Sequence, residues 1–168
     1  VAWTNWLGRG SCTGDVGYYT QAAPAGDIVS FDIYPANGTD AMVAQNLWLV
    51  PQGVDRLRDA VRDMKPVWVW IETTRIDSSG GPGPTPDQTR TEVWMSLIHG
   101  AMGIGYFARP FSPGYATHAL LDDPAMKAAV TAIDQQIAEL APVLNTPPVT
   151  NGGSVASSDP SVPVDMML

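Results

Sequence analysis

The sequence predicts an α/β fold, half of a (β/α)8 TIM barrel, and three observations carry that expectation. Short runs that alternate with a period of two begin near Val1, Ile28, Pro66 and Gly103. Stretches with a helical apolar stripe are interleaved with them, so that strand and helix alternate along the chain. The pattern is cut at both ends, and a whole barrel needs about 250 residues, whereas this chain has 168.

The first strand is Val1-Ala2-Trp3-Thr4-Asn5-Trp6-Leu7, which runs into a glycine-rich loop from Gly8 to Gly14. A short helix is expected over Asp15 to Ala22, ended by Pro24-Ala25-Gly26. Asp27 to Pro35 forms the second strand, with Val29, Phe31 and Ile33 on one face and Ser30, Asp32 and Tyr34 on the other. Asp32 reads as a buried carboxylate bonded to backbone or to a neighbouring strand. Val54 to Met64 is helical, with Val54, Leu57, Val61 and Met64 on its stripe and its charged residues on a solvated face.

Lys65 to Thr74 is the stretch that organises the rest. Val67, Val69 and Ile71 share one strand face, and Trp68, Trp70 and Glu72 the other. A carboxylate ending an otherwise apolar strand is costly unless it is paired, hydrogen-bonded or facing a polar cleft, which makes Glu72 a functional candidate. A structural ion pair or an exposed strand end is the competing reading. The Gly, Pro and Ser-rich loop from Thr73 to Thr85 has the length and place of a lid or a substrate-facing wall.

Thr85-Pro86-Asp87-Gln88 then carries a capping box with proline at the first helical position. The helix it starts runs to about Ala101 and buries Val93, Trp94, Leu97, Ile98 and Ala101. Gly103 to Phe107 is the next strand, and Asp122 or Asp123 before Pro124 caps a last helix. From Pro142 the texture changes, and residues 145–168 read as a linker and the first strands of a truncated β-rich domain.

Composition narrows the function classes. Nine Lys plus Arg against seventeen Asp plus Glu give a net charge of −8, which repels nucleic acid. No apolar run is long enough to span a bilayer. Cys12 is the single cysteine, so no internal disulfide forms. His99 and His118 have no second ligand at metal spacing, so no metal site is expected. Gly100, Gly103 and Gly105 lie between a helix and a strand, the reverse of the strand-to-helix turn of a dinucleotide site; they read as close packing, and no cofactor is expected.

Three segments together resemble a known family: Asp27 to Pro35, Lys65 to Glu72, and Arg90 to Phe107. In order and content they are similar to strands five to eight of a (β/α)8 glycoside hydrolase of clan A, most of all its β-galactosidase-like bacterial members. The likeness covers residues 1–144, and residues 145–168 resemble the start of the sandwich domain that often follows. It implies a carbohydrate substrate, a missing N-terminal half of the barrel as structural partner, Glu72 as the catalytic nucleophile and Tyr34 as the residue that holds it. The family's acid/base glutamate has no counterpart here and would precede Val1. Its tryptophan after the eighth strand is also absent, with Phe107 or Phe111 in its place.

In retaining hydrolysis one carboxylate attacks the anomeric carbon, and a second about 5 to 5.5 Å away protonates the leaving oxygen and later activates water. Glu72 is the expected attacker, kept ionised by a hydrogen bond from the Tyr34 hydroxyl. Asn5, Trp3 and Trp6 are candidates to line the cleft, with core packing the alternative for each. Glu92 and Glu139 lie on helices and are not expected to reach the site. The chain alone therefore predicts a nucleophile without an acid, inactive by itself. A non-catalytic carbohydrate-binding or structural protein remains the second hypothesis.

Overall fold

A computed structural model describes residues 2–3, 17–78, 80–111, 114, 116–149 and 152–168. Its centre is a parallel sheet in the order β1-β2-β3-β4. The body of the sheet is three strands, β2 (Val29–Asp32), β3 (Val67–Glu72) and β4 (Gly103–Phe107), with the two-residue β1 (Ala2–Trp3) at one edge. Around it lie α1 (Gly17–Ala22), α2 (Leu49–Val61), α3 (Pro86–Ile98), α4 (Ala119–Asp122) and α5 (Pro124–Leu144).

This is a small α/β domain, and the half-barrel expectation is wrong. The sheet is a short open one and α4 is a single turn; of the first strand expected over residues 1–7, only Ala2 and Trp3 lie within the described residues. Alternation of strand and helix is shared by barrels and open sheets alike, so it specifies parallel pairing without specifying closure. The predicted truncated β segment is absent too, since no strand occurs among the described residues of 145–168. That segment instead closes on itself, Val149 N donating to Leu168 O, and touches the domain where Asp165 Oδ2 lies 3.4 Å from His99 Nε2.

The alternation in β2 and β3 is as predicted. Val29, Phe31, Ile33, Val67, Val69 and Ile71 enter the core, where they meet Val50, Val54, Leu57 and Val61 of α2 and Val93 and Leu97 of α3. Glycine at position 53 of α2 is what admits the Phe31 ring, because a Cβ there would come within 2.1 Å of it. Helix α2 begins five residues earlier than its periodicity suggested, since Pro51 is tolerated in a first turn. Its end is set by Arg62 in the left-handed conformation at φ 52°.

Both predicted caps are present. Gln88 N donates to Thr85 Oγ1 at 3.2 Å while Thr85 N donates to Gln88 Oε1 at 2.9 Å, the reciprocal pair of a capping box. Asp123 Oδ1 accepts from the amides of Ala125 and Met126 at the start of α5. These caps set the starts of α3 and α5, and α3 in turn delivers a side chain to the end of β3.

Candidate active site

Strand register puts the polar face of the sheet into rows. Ser30, Trp68 and Gly103 form one row, and Asp32, Trp70 and Gly105 the next. Glu72 and Phe107 form the row at the carboxyl end, where Tyr34 follows β2. The two glycines leave room for the tryptophan rings: a Cβ on Gly103 would come 2.5 Å from Trp68, and one on Gly105 2.5 Å from Trp70. Close packing, the sequence reading of these glycines, is their role.

Glu72 is wholly buried. The turn that follows Tyr34 wraps its carboxylate: Ala36 N donates to Oε1 at 2.6 Å, and Asn37 donates to Oε2 from its backbone N at 3.0 Å and from Nδ2 at 2.6 Å. Asn37 also donates to Thr74 O and accepts at Oδ1 from Ile76 N. One asparagine thereby joins the loop after β2, the Glu72 carboxylate and the loop after β3. The long loop from Thr73 to Thr85 folds back onto the same turn, with Gly81 N donating to Asn37 O and Gly83 N to Ala36 O.

Glu92 is the residue that sequence reasoning missed. It sits on α3, fully buried, and its carboxyl meets that of Glu72. Among the described residues no N–H or hydroxyl donor reaches either Glu92 oxygen. Burial and the neighbouring Glu72 charge push its carboxyl from an ordinary 4.5 up to about 10, so it carries a proton at neutral pH. Burial also raises Glu72, but the Ala36 amide, the Asn37 donors and the Glu92 contact oppose the rise and favour its charged form.

Tyr34 lies at the site without the bond expected of it. Its hydroxyl is buried beside the Asp32 carboxyl rather than donating to Glu72. Burial first, then Asp32 and the Glu72 charge, hold the phenol far above its ordinary value and keep it protonated. Asp32 is itself raised, chiefly by burial.

The Tyr34 ring is 5.1 Å from that of Phe107, which is 5.8 Å from Phe111. Arg109 stands over the exposed Phe111 ring at 5.5 Å. Glu72, Tyr34, Phe107 and Phe111 thus gather at one end of the sheet. Asn5 and Trp6 lie outside the described residues, and Trp3 enters only through its backbone pairing with Ser30.

Among the described residues there is no group of three or more His, Cys, Asp or Glu side chains able to hold a metal ion, and no helix is long and apolar enough to cross a membrane. Compared with family models, curated proteins and solved structures, the chain finds no match in any of the three.

Proposed function

We propose that Glu72 is the attacking carboxylate of a retaining O-glycoside hydrolase. The observation that supports this most is a carboxyl group that accepts from three fixed donors at the carboxyl end of parallel strands, with Tyr34, Phe107 and Phe111 beside it. Nucleophilic catalysis on a sugar needs an ionised oxygen, and flat rings suit the C–H faces of a pyranose.

Glu92 is not the acid/base of that reaction. It touches Glu72, whereas a retaining pair stands about 5 to 5.5 Å apart to admit the sugar between them. Asp32 is one row further from the strand ends, and the Glu139 side of α5 faces solvent. The acid/base is therefore assigned to no described residue.

A second reading is favoured by one observation, the complete burial of Glu72. In it the carboxylate only ties the turn at Ala36 and Asn37 to the end of β3, and any carbohydrate contact is non-catalytic.

The two readings separate with dinitrophenyl glycosides, whose leaving group departs as a phenolate without needing a proton. If Glu72 attacks, its oxygen bonds to the anomeric carbon as the carbon–oxygen bond to the phenolate breaks. The product is a glycosyl ester that persists for want of a base to activate water. The expected result with the 168-residue chain is one released phenolate per protein, an added glycosyl mass on the peptide containing Glu72, and no turnover of unactivated glycosides. Absence of that mass across gluco, galacto, manno and xylo donors would overturn the nucleophile assignment and leave the structural reading.

A further inference from the structure

We infer that Glu92 is the positioning partner of Glu72, the two buried carboxyls holding one proton between them, carried by Glu92 and donated to Glu72. Both side chains are wholly removed from solvent. Two carboxylates in contact within an apolar interior cannot both be charged, because neither has water to screen it and the repulsion adds to the cost of burial. One proton resolves both problems, and it converts a clash of two acceptors into a hydrogen bond.

The surroundings decide which carboxyl carries it. Glu72 accepts three hydrogen bonds from Ala36 and Asn37, each of which favours a charged oxygen. Glu92 accepts none from any described N–H or hydroxyl. The proton therefore resides on Glu92, and its oxygen becomes the donor that completes the cradle around Glu72.

Among the described residues no other charge disturbs this division. On the β2 side Tyr34 is protonated and lies beside Asp32. On α5, Asp134 accepts from the Tyr106 hydroxyl. On α2, Asp55 faces His99, and Arg58 is committed to Asp63 and to His99 O. On α3 itself, Arg90 reaches away to Gln136. Among the described residues Glu72 is the one charged group that acts on Glu92.

The proton sharing stands whether or not Glu72 attacks a sugar; only its catalytic consequence, a nucleophile kept ionised and aimed by its neighbour, rests on the proposed function. The experiment is accordingly made on the protein without substrate. Glu92→Gln keeps the shape and offers a permanent N–H donor in place of the shared proton. An ordinary carboxyl loses its proton near 4.5 in the unfolded chain, whereas the folded Glu92 keeps its own up to about 10. Stability from this group is complete at low pH and falls as pH rises through that window. The unfolding equilibrium constant of the native protein should accordingly rise relative to that of Glu92→Gln by up to about tenfold per pH unit from roughly pH 5 to pH 9. Parallel profiles would overturn the inference.

Should Glu92→Gln fail to fold, infrared spectroscopy of Asp32→Asn supplies the answer without it. With Asp32 removed as the raised carboxyl outside the pair, a protonated carboxyl C=O band persisting at pH 8 is the expected signature, and its absence overturns the shared proton. A band present with no glycosyl label on Glu72 would reject the proposed hydrolase and leave the carboxyl pair intact.

Discussion

Asn37 Nδ2 donates to Glu72 Oε2 at 2.6 Å, and the same side chain closes two further bonds to the loop beyond β3. Its side chain holds the carboxylate and both loops together. Replacing it by alanine removes a donor from a buried charge and leaves Thr74 O and Ile76 N without their partner. A hydrogen bond to a charged group contributes about 1.5–3 kcal/mol, so Asn37→Ala should lower unfolding stability by at least about 2 kcal/mol. Asn37→Asp should cost more, since it sets a second negative charge against Glu72. Urea denaturation checks both; an unchanged midpoint in either would mean that the turn is held by other means.

The glycines of β4 give a graded test of the sheet's polar face. Gly103→Ala and Gly105→Ala each drive a methyl into a tryptophan ring, at 2.5 Å from Trp68 and Trp70 respectively. Trp68 is 39% exposed and has somewhere to move, whereas Trp70 is more enclosed. Overpacking costs about 1–3 kcal/mol where neighbours cannot yield. Gly105→Ala should therefore destabilise more than Gly103→Ala, by about 1 kcal/mol in thermal or chemical unfolding. Equal effects would contradict the difference in enclosure.

What was legible in the sequence was local. The β3 alternation was readable because a strand facing a helix layer on one side must alternate, and the caps at Thr85 and Asp123 because capping chemistry needs particular residues at fixed offsets. Burial of Glu92 was not legible. On a helix its charge reads as solvated surface, and only the arrival of α3 over the end of β3 turns that position inward. Asn37 was hidden for a different reason: it lies in a turn with no periodicity, and its importance comes from three partners, all of them more than thirty residues away. Fold class failed at closure, which no local pattern encodes. Tyr34 lies at the strand end near Glu72 with its hydroxyl beside Asp32 instead, because sequence order does not say which of two nearby carboxyls a hydroxyl meets.

The pH dependence of Asp32 has a definite sign. Burial raises its folded value above an ordinary 3.8, so its contribution to stability is complete below that value and is lost as pH rises through the folded one. Asp32→Asn removes the proton from the balance while keeping the shape. Native protein should lose stability relative to Asp32→Asn on the way from acid to neutral pH, by no more than about 1.4 kcal/mol per pH unit. Tyr34→Phe should move the loss to higher pH, because the hydroxyl beside Asp32 favours the charged carboxylate. Thermal midpoints measured from pH 4 to pH 8 test both, and a shift to lower pH in Tyr34→Phe would mean that the hydroxyl favours the neutral acid.

Glu72→Gln is not a silent change in this structure, although it is isosteric. The carboxylate uses both oxygens as acceptors, Oε1 toward Ala36 N and Oε2 toward the two Asn37 donors. A glutamine has one oxygen and one NH2 group, so either orientation points N–H at N–H. If the amide nitrogen takes the Oε1 place, the Ala36 amide is opposed; if it takes the Oε2 place, both Asn37 donors are. The first orientation sacrifices fewer bonds and should be adopted. Leaving a buried donor unsatisfied costs about 1–3 kcal/mol, and losing the charge weakens the remaining Asn37 bonds as well. One gain offsets this at higher pH, because Glu92 in the variant loses its proton without opposing a second charge. We expect a net loss of about 2 kcal/mol with the fold retained, measured by urea denaturation at pH 7, and a smaller loss at pH 9, where the native carboxyl pair begins to suffer its own repulsion. A variant as stable as the native protein at both pH values would show that the turn at Ala36 and Asn37 does not depend on the charge of Glu72.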